Sequence, residues 1–145
     1  MEGLQRNIGA EIKDVLAALE RTSINTAAGL KNCMDDAGFY IEILGEFRDN
    51  SEERKTNLNS AFEQNDVQSY RIYVHSLKSA ARTIGAEELS ALAERLEFAA
   101  RDGSTDFIAA HHAELLERLD AALEDILSAG AYAQGSYDVL AVELI

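Results

Sequence analysis

The sequence predicts an all-α protein. Three observations carry that prediction: none of the 145 residues is proline, only 7% are aromatic, and apolar residues recur at helical spacing along most of the chain. A chain without proline lacks the strongest helix breaker, and one poor in aromatics is short of strand formers. Its hydrophobic content of 47% suffices for one core at this length and excludes wholesale disorder.

The charge narrows the function classes. A net charge of −13 argues against binding nucleic acid or an anionic membrane. The single cysteine, Cys33, has no partner for an internal disulfide, which suits a reducing compartment. The opening MEGLQRN has neither the basic region nor the apolar run of a secretory leader. No apolar stretch reaches the roughly 20 residues that a membrane helix needs. The expectation is a soluble, cytoplasmic protein.

The helices follow in order. Leu4, Ile8, Ile12, Val15, Leu16 and Leu19 mark an amphipathic helix over about residues 3–20. RTSIN interrupts the pattern, and Asn25 is placed to cap a short helix ending near Lys31. After Asp35 and Asp36 a longer pattern begins, with Phe39, Ile43, Leu44 and Phe47 on one face. Asn50 with Glu53 has the spacing of a capping box, which predicts a bend and a new helix carrying Leu58, Ala61 and Phe62; one kinked helix is the alternative.

Asp66 caps the next helix, about residues 67–83, and Gly85 suits the left-handed position that closes it. A helix over about 87–102 buries Leu89, Leu92, Ala93, Leu96 and Ala99. Gly103, Ser104 and Thr105 separate it from a last helix over about 106–129, which aligns Ile108, Leu115, Leu119, Ala122 and Ile126. Short loops between successive long helices imply antiparallel neighbours, hence an up-down bundle. Residues 1–22 read as a helical extension, 23–130 as the bundle domain and 131–145 as a tail, apolar at DVLAVELI, that docks either on the bundle or on another subunit.

One histidine falls off the apolar beat. At about 100° per residue, taking His75 as zero, Tyr70, Tyr73, Val74, Leu77, Ala80, Ala81 and Ile84 fill the opposite side of the helix. Arg71, Lys78 and Arg82 lie within about 60° of His75 on one flank, and Ile72 and Ser79 on the other. A lone surface histidine is ordinarily just a solvated side chain. Three cations around it, in an acidic protein, would favour the neutral imidazole and attract an anion. A neutral imidazole beside cations is a nucleophile for a negatively charged electrophile, with phosphate the obvious candidate.

His75-Ser-Leu77-Lys78-Ser79, followed by Ile84-Gly85-Ala86, resembles the H-x-L-K-[GS]…[IVL]-G-A signature of histidine phosphotransfer (HPt) domains. The resemblance extends to INTAAGLKNC, FYIEILGEF and LSALAERLEFAARDG, about residues 24–129. It implies an antiparallel four-helix bundle, here with an additional N-terminal helix, that carries a phosphoryl group on the histidine. The implied partners are response-regulator receiver domains and, upstream, a hybrid sensor histidine kinase. A monomer without cofactor or metal of its own is expected, the Mg²⁺ being the receiver's.

On this reading His75 attacks an aspartyl phosphate and returns the group to a second aspartate. Lys78, about one turn on, neutralises charge on the transferring oxygens, and as a surface lysine its removal would cost little stability. Ser79 stands where many members have glycine and must be small. Ile72, Arg71 and Arg82 would meet the receiver, the two arginines facing its acidic pocket unless they are merely solvated. Glu97, 22 residues beyond His75, occupies the place from which a Glu or Gln hydrogen-bonds the imidazole in the family; an ordinary surface glutamate is the alternative. His112 falls on the Ile108–Leu115 stripe and reads as packed, His111 points elsewhere, and Cys33 with Met34 reads as packing. The competing functions are an adaptor that binds receivers without chemistry and the phosphoacceptor domain of a chemotaxis kinase. Nothing in the chain resembles a nucleotide site, so no kinase activity of its own is expected.

Overall fold

The computed structural model describes residues 12–130. Those residues are helical throughout, with no strand: α1 covers residues 12–19, followed by α2 (Thr26–Asn32), α3 (Ala37–Asp49), α4 (Ser51–Glu63), α5 (Val67–Ile84), α6 (Glu87–Asp102) and α7 (Thr105–Ser128). The expected beginning of the first helix, with Leu4 and Ile8, and the tail 131–145 lie outside the described residues. No helix among the described residues is long and apolar enough to cross a membrane.

Local chemistry sets most boundaries. The side chains of Asn25, Asp36 and Asp66 accept the backbone N–H of Ala28, Phe39 and Ser69 at 3.0–3.1 Å, each satisfying a donor that the helix start leaves unpaired. Gly85 and Gly103 close α5 and α6 at φ 88° and 72°. Gly85 is doubly constrained, because a Cβ there would lie 2.1 Å from the Asn25 carbonyl oxygen. The same close approach lets the Asn25 N–H donate to the Gly85 carbonyl at 2.8 Å, tying the start of α2 to the end of α5.

Three expectations about the first half are corrected. Asn50 and Glu53 form no capping box: Asn50 has helical backbone (φ −87°, ψ −4°) and makes no side-chain cap. Its N–H donates to Glu46 O and its carbonyl accepts from Arg54 N, both at 3.0 Å, so the ladder passes through the joint between α3 and α4. Phe39 is exposed, and the buried face of α3 is Tyr40, Ile41, Leu44 and Phe47. Both stripes satisfy helical spacing. The one around Tyr40 goes inside because its hydroxyl finds a buried acceptor, the Ile84 carbonyl at 2.7 Å. Cys33 packs in the core as expected, but Met34, in left-handed backbone at φ 58°, is 80% exposed.

α5 is the central element, packing against α2, α3, α4 and α6, while α7 packs on α6 and α3. The α5–α6 pair runs antiparallel: from His75 to Lys78 on α5 the partner moves back from Glu97 to Ser90. Tyr70, Val74, Leu77, Ala81 and Ile84 of α5 are buried against Leu96, Leu115 and Leu119, among others. Truncating one such leucine to alanine typically costs about 2–5 kcal/mol.

His112 is 5% exposed and fully satisfied. Tyr70 Oη lies 2.9 Å from its Nδ1, and Nε2 lies 2.8 Å from Asn59 Oδ1, with the Phe62 ring stacked 4.1 Å away. The amide oxygen only accepts, so Nε2 carries the proton and Nδ1 accepts from the tyrosine.

Candidate functional site

The apolar stripe of α5 faces inward, and this alone turns His75 outward, with 59% of its side chain exposed. The ring is anchored from the neighbouring helix. His75 Nδ1 lies 2.5 Å from Glu97 Oε2, and Lys78 Nζ lies 2.5 Å from the other oxygen, Oε1. One carboxylate on α6 therefore bridges two side chains three residues apart on α5. That spacing places both on the same side of the helix, one turn from each other.

Electrostatics follow from this bridge. Burial would push the Glu97 carboxyl up, but hydrogen bonds from Lys78 and His75, and their charges, outweigh it and hold it below the usual carboxylate range. Ionised, Glu97 is an acceptor only, so Nδ1 donates to it whether the ring is charged or neutral, and in the neutral form the lone pair is on Nε2. In that neutral form the exposed ring has one basic nitrogen, Nε2.

Lys78 differs from expectation. It lies on the polar face of the wheel, yet only 15% of its side chain is exposed, because α6 covers that flank. A single-helix wheel cannot show where a second helix will lie. Arg82 is also paired, with Glu94 at 3.0 Å, again across α5–α6. Of the three cations near His75, Arg71 and Arg82 are both exposed, and Arg71 alone makes no ion pair among the described residues. It lines an open depression with Gln68, Ile72, His75 and Glu97.

Ile72 is 64% exposed, an apolar residue set in that depression. Ser79 is exposed, and its carbonyl accepts from Thr83 Oγ1 at 2.9 Å. Gly85 stands apart from the site and fixes the end of the helix that carries it. His111 lies beside Phe107 on α7, and the buried His112 is no part of the site. No group of three His, Cys, Asp or Glu side chains among the described residues is arranged to hold a metal ion.

Sequence reasoning passed over two features near His75. Glu94, which neutralises Arg82, looks like any helix-surface glutamate until α6 is docked. Arg54 of α4 donates from Nη1 to Ser76 Oγ at 3.0 Å, next in sequence to His75. It sits within the polar run SEERKTN, where no periodicity distinguishes one charge from another.

The outward histidine, its anchored Nδ1 and the Gly85 closure are joined by a match over the sequence: residues 42–129 fit the model of the Hpt domain family. The chain belongs to that family. Comparison with curated proteins and with solved structures finds no match.

Proposed function

We propose that this protein relays a phosphoryl group between the aspartates of receiver domains through His75. The observation that carries the reading is the contact of Nδ1 with Glu97, which leaves Nε2 as the lone-pair nitrogen of the neutral form of an exposed ring. Nε2 attacks phosphorus, the N–P bond forms, and the P–O bond to the donor aspartate breaks, releasing its carboxylate. The attacking nitrogen carries no proton, so no base is needed. The ring becomes positively charged, with Nδ1–H still donating to the anionic Glu97. Attack by a second receiver's carboxylate reverses the step and regenerates the imidazole.

Within this reading Lys78 acts on the charge at the site, both through Glu97 and near the transferring oxygens. Ser79 leaves room for the receiver to approach, and Ile72, Arg71 and Arg82 meet it. The receiver brings the magnesium ion that its own aspartyl phosphate chemistry requires. The helices of residues 23–130 form an antiparallel four-helix bundle, preceded by the 1–22 extension and followed by the 131–145 tail. The protein works as a cytoplasmic monomer, a carrier without kinase activity, downstream of a hybrid sensor kinase.

The position of the phosphoryl group tests this reading. After labelling with a phosphorylated receiver, nitrogen-15 NMR of the imidazole should place phosphorus on Nε2. Phosphorus on Nδ1 contradicts it, because that nitrogen is held by Glu97.

A further inference from the structure

His75 stands between two unlike flanks. On the α6 side the cations are already neutralised, Lys78 by Glu97 and Arg82 by Glu94. On the α4 side the opposite holds. Arg54 makes no ion pair among the described residues, and its Nε is buried without a hydrogen-bond partner. Burial pushes its guanidinium below the usual arginine range, with the charge of Glu53 opposing the shift. A half-buried cation without a counter-ion is costly to keep, and a partner's carboxylate would remove that cost.

Arg54 lines a depression between α4 and α5 together with Asn50, Asn57, Ile72, Tyr73 and Ser76; Glu53 also borders it without pairing. Ile72 belongs to this depression and to the one that holds His75, so it is the ridge between them. Arg54 and Asn50 also line a further hollow, beside Glu46, Phe47, Ala80 and Thr83, where Glu46 likewise borders Arg54 without an ion pair. These two hollows adjoin at Asn50 and Arg54 and together follow α5 from Ile72 to Thr83, roughly 16 Å at the rise of an α-helix. A stable protein interface covers about 800 Å² on each partner, far more than the surroundings of one histidine. A receiver that covers His75 and Ile72 is already at the lip of this groove.

We propose that the α4–α5 groove is the second half of the receiver-docking surface, and that Arg54 takes a carboxylate of the receiver there. This rests on the phosphotransfer reading above. The unpaired charge differs from what the sequence placed on Arg71, Lys78 and Arg82: Arg71 and Arg54 present it to the receiver, one on each side of Ile72, while Lys78 and the exposed Arg82 already have counter-ions in Glu97 and Glu94.

The test uses receiver domains phosphorylated with acetyl phosphate, choosing one that labels the wild-type protein, and phosphoramidate as a small donor that needs no docking. For Arg54→Gln the expected result is a KM for the receiver raised about five- to tenfold, with kcat within about twofold and a weaker salt dependence of kcat/KM. Labelling by phosphoramidate stays at the wild-type rate, and Arg54→Lys restores KM. Amide-shift mapping on the wild-type protein gives an answer that needs no variant: adding the receiver should shift Arg54 and Asn57 as well as the residues around His75. An unchanged KM in Arg54→Gln overturns the proposal. So does an equal fall in labelling by phosphoramidate, which would make Arg54 a tether between helices, or a map confined to α5 and α6. If no receiver labels the wild type, the relay reading itself falls and this surface with it.

Discussion

His75 Nδ1 and Glu97 Oε2 meet at 2.5 Å across α5 and α6, although 22 residues separate them in sequence. The contact makes Glu97 a sensor of its own surroundings. Its carboxyl is held below the ordinary 4.5, so the unfolded chain takes up this proton at a higher pH than the folded one. The stability it contributes is present above that ordinary value and is lost as pH falls through it towards the folded pKa. Denaturant unfolding at about pH 3.5 and pH 6 should show a steeper acid loss for wild type than for Glu97→Gln. Equal slopes would mean that the carboxylate is not held by its two partners.

Lys78→Ala should act on the chemical step. It frees one oxygen of Glu97 and removes a charge beside the transferring group, so kcat should fall roughly tenfold or more with KM for the receiver little changed. Because the lysine is mostly covered and paired, the variant should also lose about 1–2 kcal/mol of stability. Unchanged transfer kinetics would remove Lys78 from the mechanism.

What the sequence made legible were the features that one helix settles alone. The apolar stripe of α5 turned His75 outward, the bounds of α6 fell at Glu87 and Asp102, and Gly85 marked the left-handed close. Features that need two helices were not legible. Lys78 and Arg82 looked free on their own wheel, and only the docking of α6 gives them Glu97 and Glu94. In α3 two stripes shared the same period, and the choice fell to a hydrogen bond from Tyr40 to Ile84, 44 residues away. At Asn50 the capping-box spacing was met, but continuous helical hydrogen bonds outweighed a cap. Arg54 was invisible because its distinction is a buried Nε without a hydrogen bond and the lack of a counter-ion among the described residues, which a sequence does not record.

His112 should make stability depend on pH near neutrality. Burial lowers its pKa from the ordinary 6.5, with Glu63 opposing, so the unfolded chain protonates first. Its contribution is complete above that value and is lost as pH falls through it towards the folded pKa. Between about pH 7.5 and pH 5.5, His112→Gln should show a shallower loss than wild type, at a cost of about 1–2 kcal/mol where the Tyr70 and Asn59 bonds are strained. Equal slopes in the two proteins would contradict the buried neutral imidazole.

Gly85→Ala tests the joint between α5 and α2. The substitution combines positive φ with a Cβ 2.1 Å from Asn25 O, so at least about 2 kcal/mol should be lost in thermal or denaturant unfolding. Gly103→Ala has positive φ but open space around its Cβ, and should cost less. Equal losses would show that the Asn25 contact does not matter.

The central claim is that His75 carries the phosphoryl group. The most direct measurement incubates a radiolabelled phospho-receiver with wild type and with His75→Gln, then tests the stability of the label in acid and base. Acid-labile, base-stable label should appear on the wild type and be absent from the variant, with His111 and His112 unlabelled in both. Label on His75→Gln at the wild-type level would contradict the account.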